Sequence, residues 1–207
     1  LSTGDKVTIT PAEGATITHV AQTTVDNAFA YAVDHQAQYK TISTEVGKLS
    51  VTPATLTVNT GTASKQYDGK PLTAAGSATG YVNDESADFA VTGTITEVGG
   101  PVNNTYTIVF AGEEGASESA TAVRSDYTIS ESIGTLTVTE NETALVIKSN
   151  TKSWPYDGQA HTDYSYTVTF GEESYEVSVA EGATTAVATL STGDKVTITP
   201  AEGATIT

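Results

Sequence analysis

Cysteine and methionine are both absent from the 207 residues, arginine occurs once, at Arg124, and tryptophan once, at Trp154. Without cysteine there is no disulfide, no thiol nucleophile and no cysteine-based metal site. Nine basic residues against 25 acidic ones leave a net charge of −16, which repels phosphate backbones and anionic lipid and sets both aside as partners. No apolar run approaches the roughly 18 residues that a membrane-spanning helix needs. A chain that opens on Leu1, with neither initiator methionine nor signal peptide, reads as a mature or excised piece of a longer product. The three histidines (His19, His35, His161) are scattered, with no HExxH. Phosphate-binding glycine loops and the G-x-S-x-G elbow are likewise missing.

What is abundant is threonine, 39 residues of 207, beside 18 glycines. Threonine suits a half-exposed pleated surface, its methyl packing while its hydroxyl meets water or a cross-strand partner. Short alternating runs bear this out: Leu56/Val58, Phe89/Val91, Tyr106/Ile108/Phe110, Tyr127/Ile129 and Leu136/Val138, then Tyr164/Tyr166/Val168/Phe170 and Tyr175/Val177/Val179 around a GEES loop. Strands of this length and spacing predict an all-β chain of tandem small β-sandwich (Ig-like) domains, with a β-grasp-like arrangement as the alternative. The alanine-rich stretch VDNAFAYAVDHQAQYK (25–40) reads as strand because Phe29, Tyr31 and Val33 alternate.

The eighteen residues LSTGDKVTITPAEGATIT occupy both 1–18 and 190–207, a period of 189 residues. A weaker repeat lies inside it. TLTVNTGTASKQYDGKPLT (55–73) aligns with ALVIKSNTKSWPYDGQAHT (144–162), and YKTISTEVGKLSVT (39–52) with YTISESIGTLTVT (127–139) once a residue is gapped. Two related repeats, A and B, therefore alternate. Residues 54–140 are a complete repeat A, 144–207 the N-terminal part of a repeat B, and 1–53 the C-terminal part of another. The linkers 51–55 and 139–143 are short and polar, which limits swing between neighbours.

The most specific motif is the YDG triplet, Tyr67, Asp68, Gly69 and again Tyr156, Asp157, Gly158. Asp-Gly is turn chemistry: the carboxylate bonds its own backbone, the glycine accepts positive φ, and the tyrosine ring is placed to cover the sandwich end. Acidic clusters at Asp84/Glu85/Asp88, Glu113/Glu114 and Glu172/Glu173/Glu176 fall in expected loops as solvated charge, and leave only weak Ca²⁺ binding open. Lys48 and Lys148 sit at strand edges, where lysine blocks unwanted pairing. The sequons at 103–105 and 141–143 carry no weight in so threonine-rich a chain. Trp154, with Tyr156 and Tyr164 nearby, is the single aromatic cluster that a glycan could use.

The run L-x-V, K-x-YDG-x-P-L-T, TYTIVF, DYTIS and G-T-L-T-V-T resembles the bacterial surface-protein repeats called MBG domains, of the YDG/YGX type. Repeat A matches nearly end to end, whereas repeat B has SWPYDGQAHT and a longer middle. The resemblance implies a non-enzymatic stalk or adhesin segment, extracellular, secreted or at the bacterial surface, with no cofactor and no catalytic residue. Its partners would be neighbouring identical repeats, with host or microbial glycans or proteins at a tip outside this chain. The alternatives are a self-assembling fibre subunit joined head to tail by strand complementation, and a glycan- or mucin-binding module around Trp154.

Overall fold

The computed structural model describes residues 1–201; the final six residues of the second eighteen-residue copy, 202–207, and with them the end of the 144–207 segment, lie outside the described residues. Among the described residues the chain is all-β, with seventeen strands and two 3₁₀ turns, Gln36–Gln38 and Arg124–Asp126. The strands are β1 (Val7–Pro11), β2 (Val25–Asp26), β3 (Phe29–Val33), β4 (Lys48–Leu49), β5 (Ala54–Thr60) and β6 (Ala63–Gln66). Then come β7 (Gly76–Thr79), β8 (Asp88–Val91), β9 (Gly99–Asn103), β10 (Tyr106–Val109), β11 (Tyr127–Ser132) and β12 (Thr135–Thr139). The last five are β13 (Leu145–Ser149), β14 (Ser165–Phe170), β15 (Glu173–Ser178), β16 (Ala186–Thr189) and β17 (Lys195–Ile198).

Compactness cuts across the repeats. One compact unit comprises Leu1–Thr60, Gly76–Thr92 and Thr105–Ile133, and the other Gly61–Ala75, Gly93–Asn104 and the described residues from Gly134 onward. In the first unit β5 is the centre of a sheet ordered β11-β5-β7, parallel to β11 and antiparallel to β7. The sequence ATLTVNT explains why: alternation puts Leu56, Val58 and Thr60 on the buried side of β5. Leu56 meets Phe110, Ala122 and Tyr127, with Tyr81, Ile108 and Ile129 packed around them. A buried tyrosine needs partners for its hydroxyl. That of Tyr127 accepts the Val82 amide at 3.0 Å and donates to Glu85 at 2.6 Å. Antiparallel pairs β8–β10, β1–β3 and β2–β4 complete the unit.

In the second unit β12 is central to a sheet ordered β6-β12-β9, parallel to β6, with Leu136 and Val138 buried. Asn104 is fully buried and donates its side-chain amide to the carbonyls of Gly61 (2.9 Å) and Ala74 (3.0 Å). A second sheet, β13-β14-β15, and the pair β16–β17 enclose Val168, Ala188 and Leu190, with Phe170, Tyr175, Val177, Val196 and Ile198 against them. Of the ten ladders among the described residues two, β5–β11 and β6–β12, are parallel, a partnership that alternation along one strand leaves unspecified.

Two local expectations are corrected. Residues 25–26 and 29–33 are strand, but His35, at φ 52°, turns the chain into the 3₁₀ turn Gln36–Gln38. The β14–β15 hairpin has a two-residue loop, Gly171 and Glu172, because Phe170 already faces Glu173 and Gly171 adopts positive φ. Glu173 and Glu176 therefore stand on a strand and not in a loop, as does Asp88 at the start of β8.

Candidate functional site

Both YDG triplets form the same turn. Asp68 accepts the Lys70 amide and Asp157 the Gln159 amide, each at 3.0 Å, and Gly69 and Gly158 follow at φ 74° and 76°. The flanking side chains differ. Lys65 pairs with Asp68 and also reaches the Lys70 carbonyl at 2.6 Å, so that Lys65 first, and then the Lys70 amide, hold the Asp68 carboxyl below its ordinary range. His161 lies 3.0 Å from Asp157.

Only the first turn is built into its surroundings. The Tyr67 amide donates to the Thr139 carbonyl at 2.9 Å, and the Asn141 side chain to the Tyr67 carbonyl at 2.7 Å, which pins the 139–143 linker. The Tyr67 hydroxyl donates to Asp194 at 2.9 Å, a bond that raises the hydroxyl's pKa, and Gly69 lies directly against the Thr192 carbonyl. Tyr156, by contrast, is 97% exposed and covers nothing, because repeat B supplies no equivalent of these contacts among the described residues.

The turn that Tyr67 meets belongs to the duplicated sequence, in which Thr192 donates to Asp194 at 2.8 Å just as Thr3 donates to Asp5. Asp5 takes its tyrosine from elsewhere, the Tyr39 hydroxyl at 2.6 Å, with His35 at 2.7 Å. The Tyr39 bond, then His35 and Thr3, hold the Asp5 carboxyl low. Sequence reasoning passed over these two aspartates and the structural asparagines Asn104 and Asn141. The Thr-x-Asp spacing in both copies was the available signal for the aspartates.

The aromatic cluster is assembled differently from its sequence neighbourhood. His161, and neither tyrosine, stacks on the Trp154 indole (4.9 Å between centroids, 8° apart), and the Lys152 ammonium stands 5.7 Å from the ring. Tyr164 lines a separate hollow with Val179, Ala183 and Thr184. One indole face is thus occupied, which leaves less of a platform for a sugar ring than the sequence implied.

Several of the clustered acidic residues accept from local donors. Asp88 accepts the amide and hydroxyl of Ser117 (2.6 and 2.7 Å), Glu173 the Tyr175 hydroxyl (2.6 Å), and Glu176 the Thr167 hydroxyl (2.8 Å). His19 pairs with Asp126 at 2.6 Å, and Lys48 with Asp26 across β2–β4. Lys148 lies on the exposed outer strand β13. Among the described residues no group of three or more histidines or carboxylates is arranged to hold a metal ion, and no helix is long and apolar enough to cross a membrane.

Glu113 is the most strongly perturbed carboxylate. Arg124 grips both its oxygens and the Phe110 amide donates at 2.9 Å; these together pull its pKa from 4.5 to about 2. A depressed carboxylate stabilises the fold above its unfolded value, and that contribution disappears as pH falls through the folded one. Urea midpoints taken from about pH 5 down to about pH 2 are therefore expected to fall less steeply in Glu113→Gln than in the unaltered chain. Parallel curves for the two proteins would refute the assignment.

No known protein family, no curated protein and no solved structure matches the chain.

Proposed function

We propose that the chain is a non-enzymatic structural segment of an extracellular bacterial surface fibre or adhesin stalk, built from tandem small β-domains of Ig-like or β-grasp-like form. The observation that carries this reading is the junction at the first YDG turn. Tyr67, Gly69 and Asn141 tie repeat A to the linker behind it and to the duplicated 190–194 turn of repeat B. A motif spent on joining neighbours suits a protein whose product is length, with each unit holding its own core and short links limiting bending. The charge of −16 keeps such an array soluble and its units mutually repelling. Fold does not by itself assign function, so the stalk role rests on the repeat, the junction and the resemblance to MBG domains. Neighbouring repeats are its immediate partners, and glycan or protein recognition belongs to a tip beyond this segment.

The test is the mass of the natural protein, heated in detergent under denaturing conditions. A single species far above 21.3 kDa is expected. A band at the mass of this chain alone would overturn the tandem reading.

A further inference from the structure

Residues 1–9 and 190–198 are one sequence, folded alike and covered differently. In both, a tight turn closes on the leucine, Gly4 donating to Leu1 at 3.0 Å and Gly193 to Leu190 at 2.9 Å, before β1 and β17 begin. In the later copy Leu190 is 7% exposed, and Val196 and Ile198 pack with Val168, Phe170, Tyr175 and Val177. In the earlier copy Leu1, Val7 and Ile9 are 63%, 45% and 63% exposed. With Phe29, Tyr31 and Val33 they line an apolar groove of about 440 Å³.

The backbone shows the same difference. β17 meets β16 through the edge that carries Asp194, Val196 and Ile198: Leu190 bonds Asp194, and Ala188 and Ala186 face Val196 and Ile198. β1 meets β3 through its opposite edge, since Asp34 donates to Lys6 and Ala12 to Ala28. Alternate residues of an antiparallel strand present N–H and C=O to the same side. Asp5, Val7 and Ile9, the counterparts of Asp194, Val196 and Ile198, therefore face an edge that no strand takes among the described residues. One strand can hold both partners at once, because β16 and β3 use different edges.

A third observation agrees. In repeat A, β11 runs parallel to β5 with Ile129 opposite Leu56. The counterpart of Ile129 in repeat B is Ile42, which lines the groove without belonging to a strand. The counterpart of β5 is β13, whose Leu145 and Ile147 are about half exposed.

We propose that the groove on β1 and β3 seats a second copy of residues 145–189, joined ahead of Leu1 as Thr189 is joined to Leu190. Residues 186–189 of that copy add as an antiparallel strand beside residues 6–9, Ala188 opposite Val7 and Ala186 opposite Ile9. Its Val168, Phe170, Tyr175 and Val177 cover Leu1, Val7 and Ile9, and its Leu145 runs beside Ile42. The main-chain bonds supply affinity and the apolar cover supplies register. The proposal relies on the tandem reading only for the order in which copies are joined.

Amide hydrogen exchange tests it in two proteins, the full chain and the full chain extended at Leu1 by a second 145–189. Addition of the strand is expected to slow the Val7 and Ile9 amides roughly a hundredfold, while Thr8 and Thr10, already facing β3, change little. Ala188→Pro in the added copy alone removes a strand donor and is expected to return Val7 and Ile9 to fast exchange. The amides of Leu56, Val196 and Ile198 report whether each protein is folded. If they stay protected while Val7 and Ile9 exchange as fast as before, the proposal is overturned. Slowing in the unextended chain that grows with concentration would overturn it too, by showing that separate molecules exchange strands. A natural protein of only 21.3 kDa would sink the tandem reading and leave protection in the extended chain as evidence for the docking alone.

Discussion

Phe110→Ala is expected to destabilise the first compact unit by about 3–5 kcal/mol, the cost of deleting a fully buried aromatic ring and leaving a cavity. Phe110 has no exposed surface and stands with Leu56, Ala122 and Tyr127, its ring 6.3 Å from that of Tyr127. It does more than fill space. The Arg124 guanidinium lies 4.5 Å from the Phe110 centroid, and the Phe110 amide bonds Glu113, the partner of Arg124. Loss of the ring removes a cation–π contact worth about 0.5–1 kcal/mol and the surface that orients the chain's one arginine. Phe110→Leu keeps most of the volume and is expected to cost about 1.5 kcal/mol or less. Trp154 belongs to the other unit, so its fluorescence is the wrong probe. Exchange of the Leu56 and Ile129 amides reads the right one. A loss below about 1 kcal/mol in Phe110→Ala would show that this core is not organised around the ring.

The strands and the turns were legible in the sequence because they are local. Period-two alternation placed Leu56 and Val58, Tyr127 and Ile129, and Leu136 and Val138 on strands, and Asp-Gly placed both Asx turns. What alternation does not encode is the partner across a ladder or the layer above a face. β5 lies beside β11, far along the chain and parallel, and repeat A contributes sheets to both compact units. Leu1 and Leu190 make the point without any change of residue: identical sequence, identical turn, one exposed and one buried, because burial is decided by residues elsewhere. The same holds for Tyr67 and Tyr156, and for Trp154, whose stacking partner proved to be His161. The acidic clusters were misjudged at Asp88, which opens β8, and at Glu173 and Glu176, where a two-residue hairpin loop leaves more of the run in strand than GEES implied.

The two YDG glycines then offer a comparison at constant local geometry. Gly158→Ala places a methyl group at φ 76° with nothing nearer than the Tyr156 hydroxyl, 4.0 Å away. The expected cost is the left-handed strain of an L residue, about 1 kcal/mol, partly offset by the stiffer unfolded chain. Gly69→Ala carries the same strain at φ 74°, but its Cβ would fall 1.7 Å from the Thr192 carbonyl oxygen. No rotamer change relieves an overlap with backbone. The YDG turn must part from the 190–194 turn, and the hydrogen bond from Tyr67 to Asp194 goes with it. Gly69→Ala is accordingly expected to cost about 3 kcal/mol or more, several times the effect at Gly158. Tyr67→Phe alone should cost about 1 kcal/mol, the net worth of the lost hydrogen bond. In the double variant that further loss should vanish, giving a coupling of about 1 kcal/mol between two residues that do not share a bond. Equal costs at Gly69 and Gly158, or simple additivity with Tyr67→Phe, would mean that the first YDG turn is only a turn. The larger cost and the coupling together would mean that the motif in repeat A holds its neighbour in place.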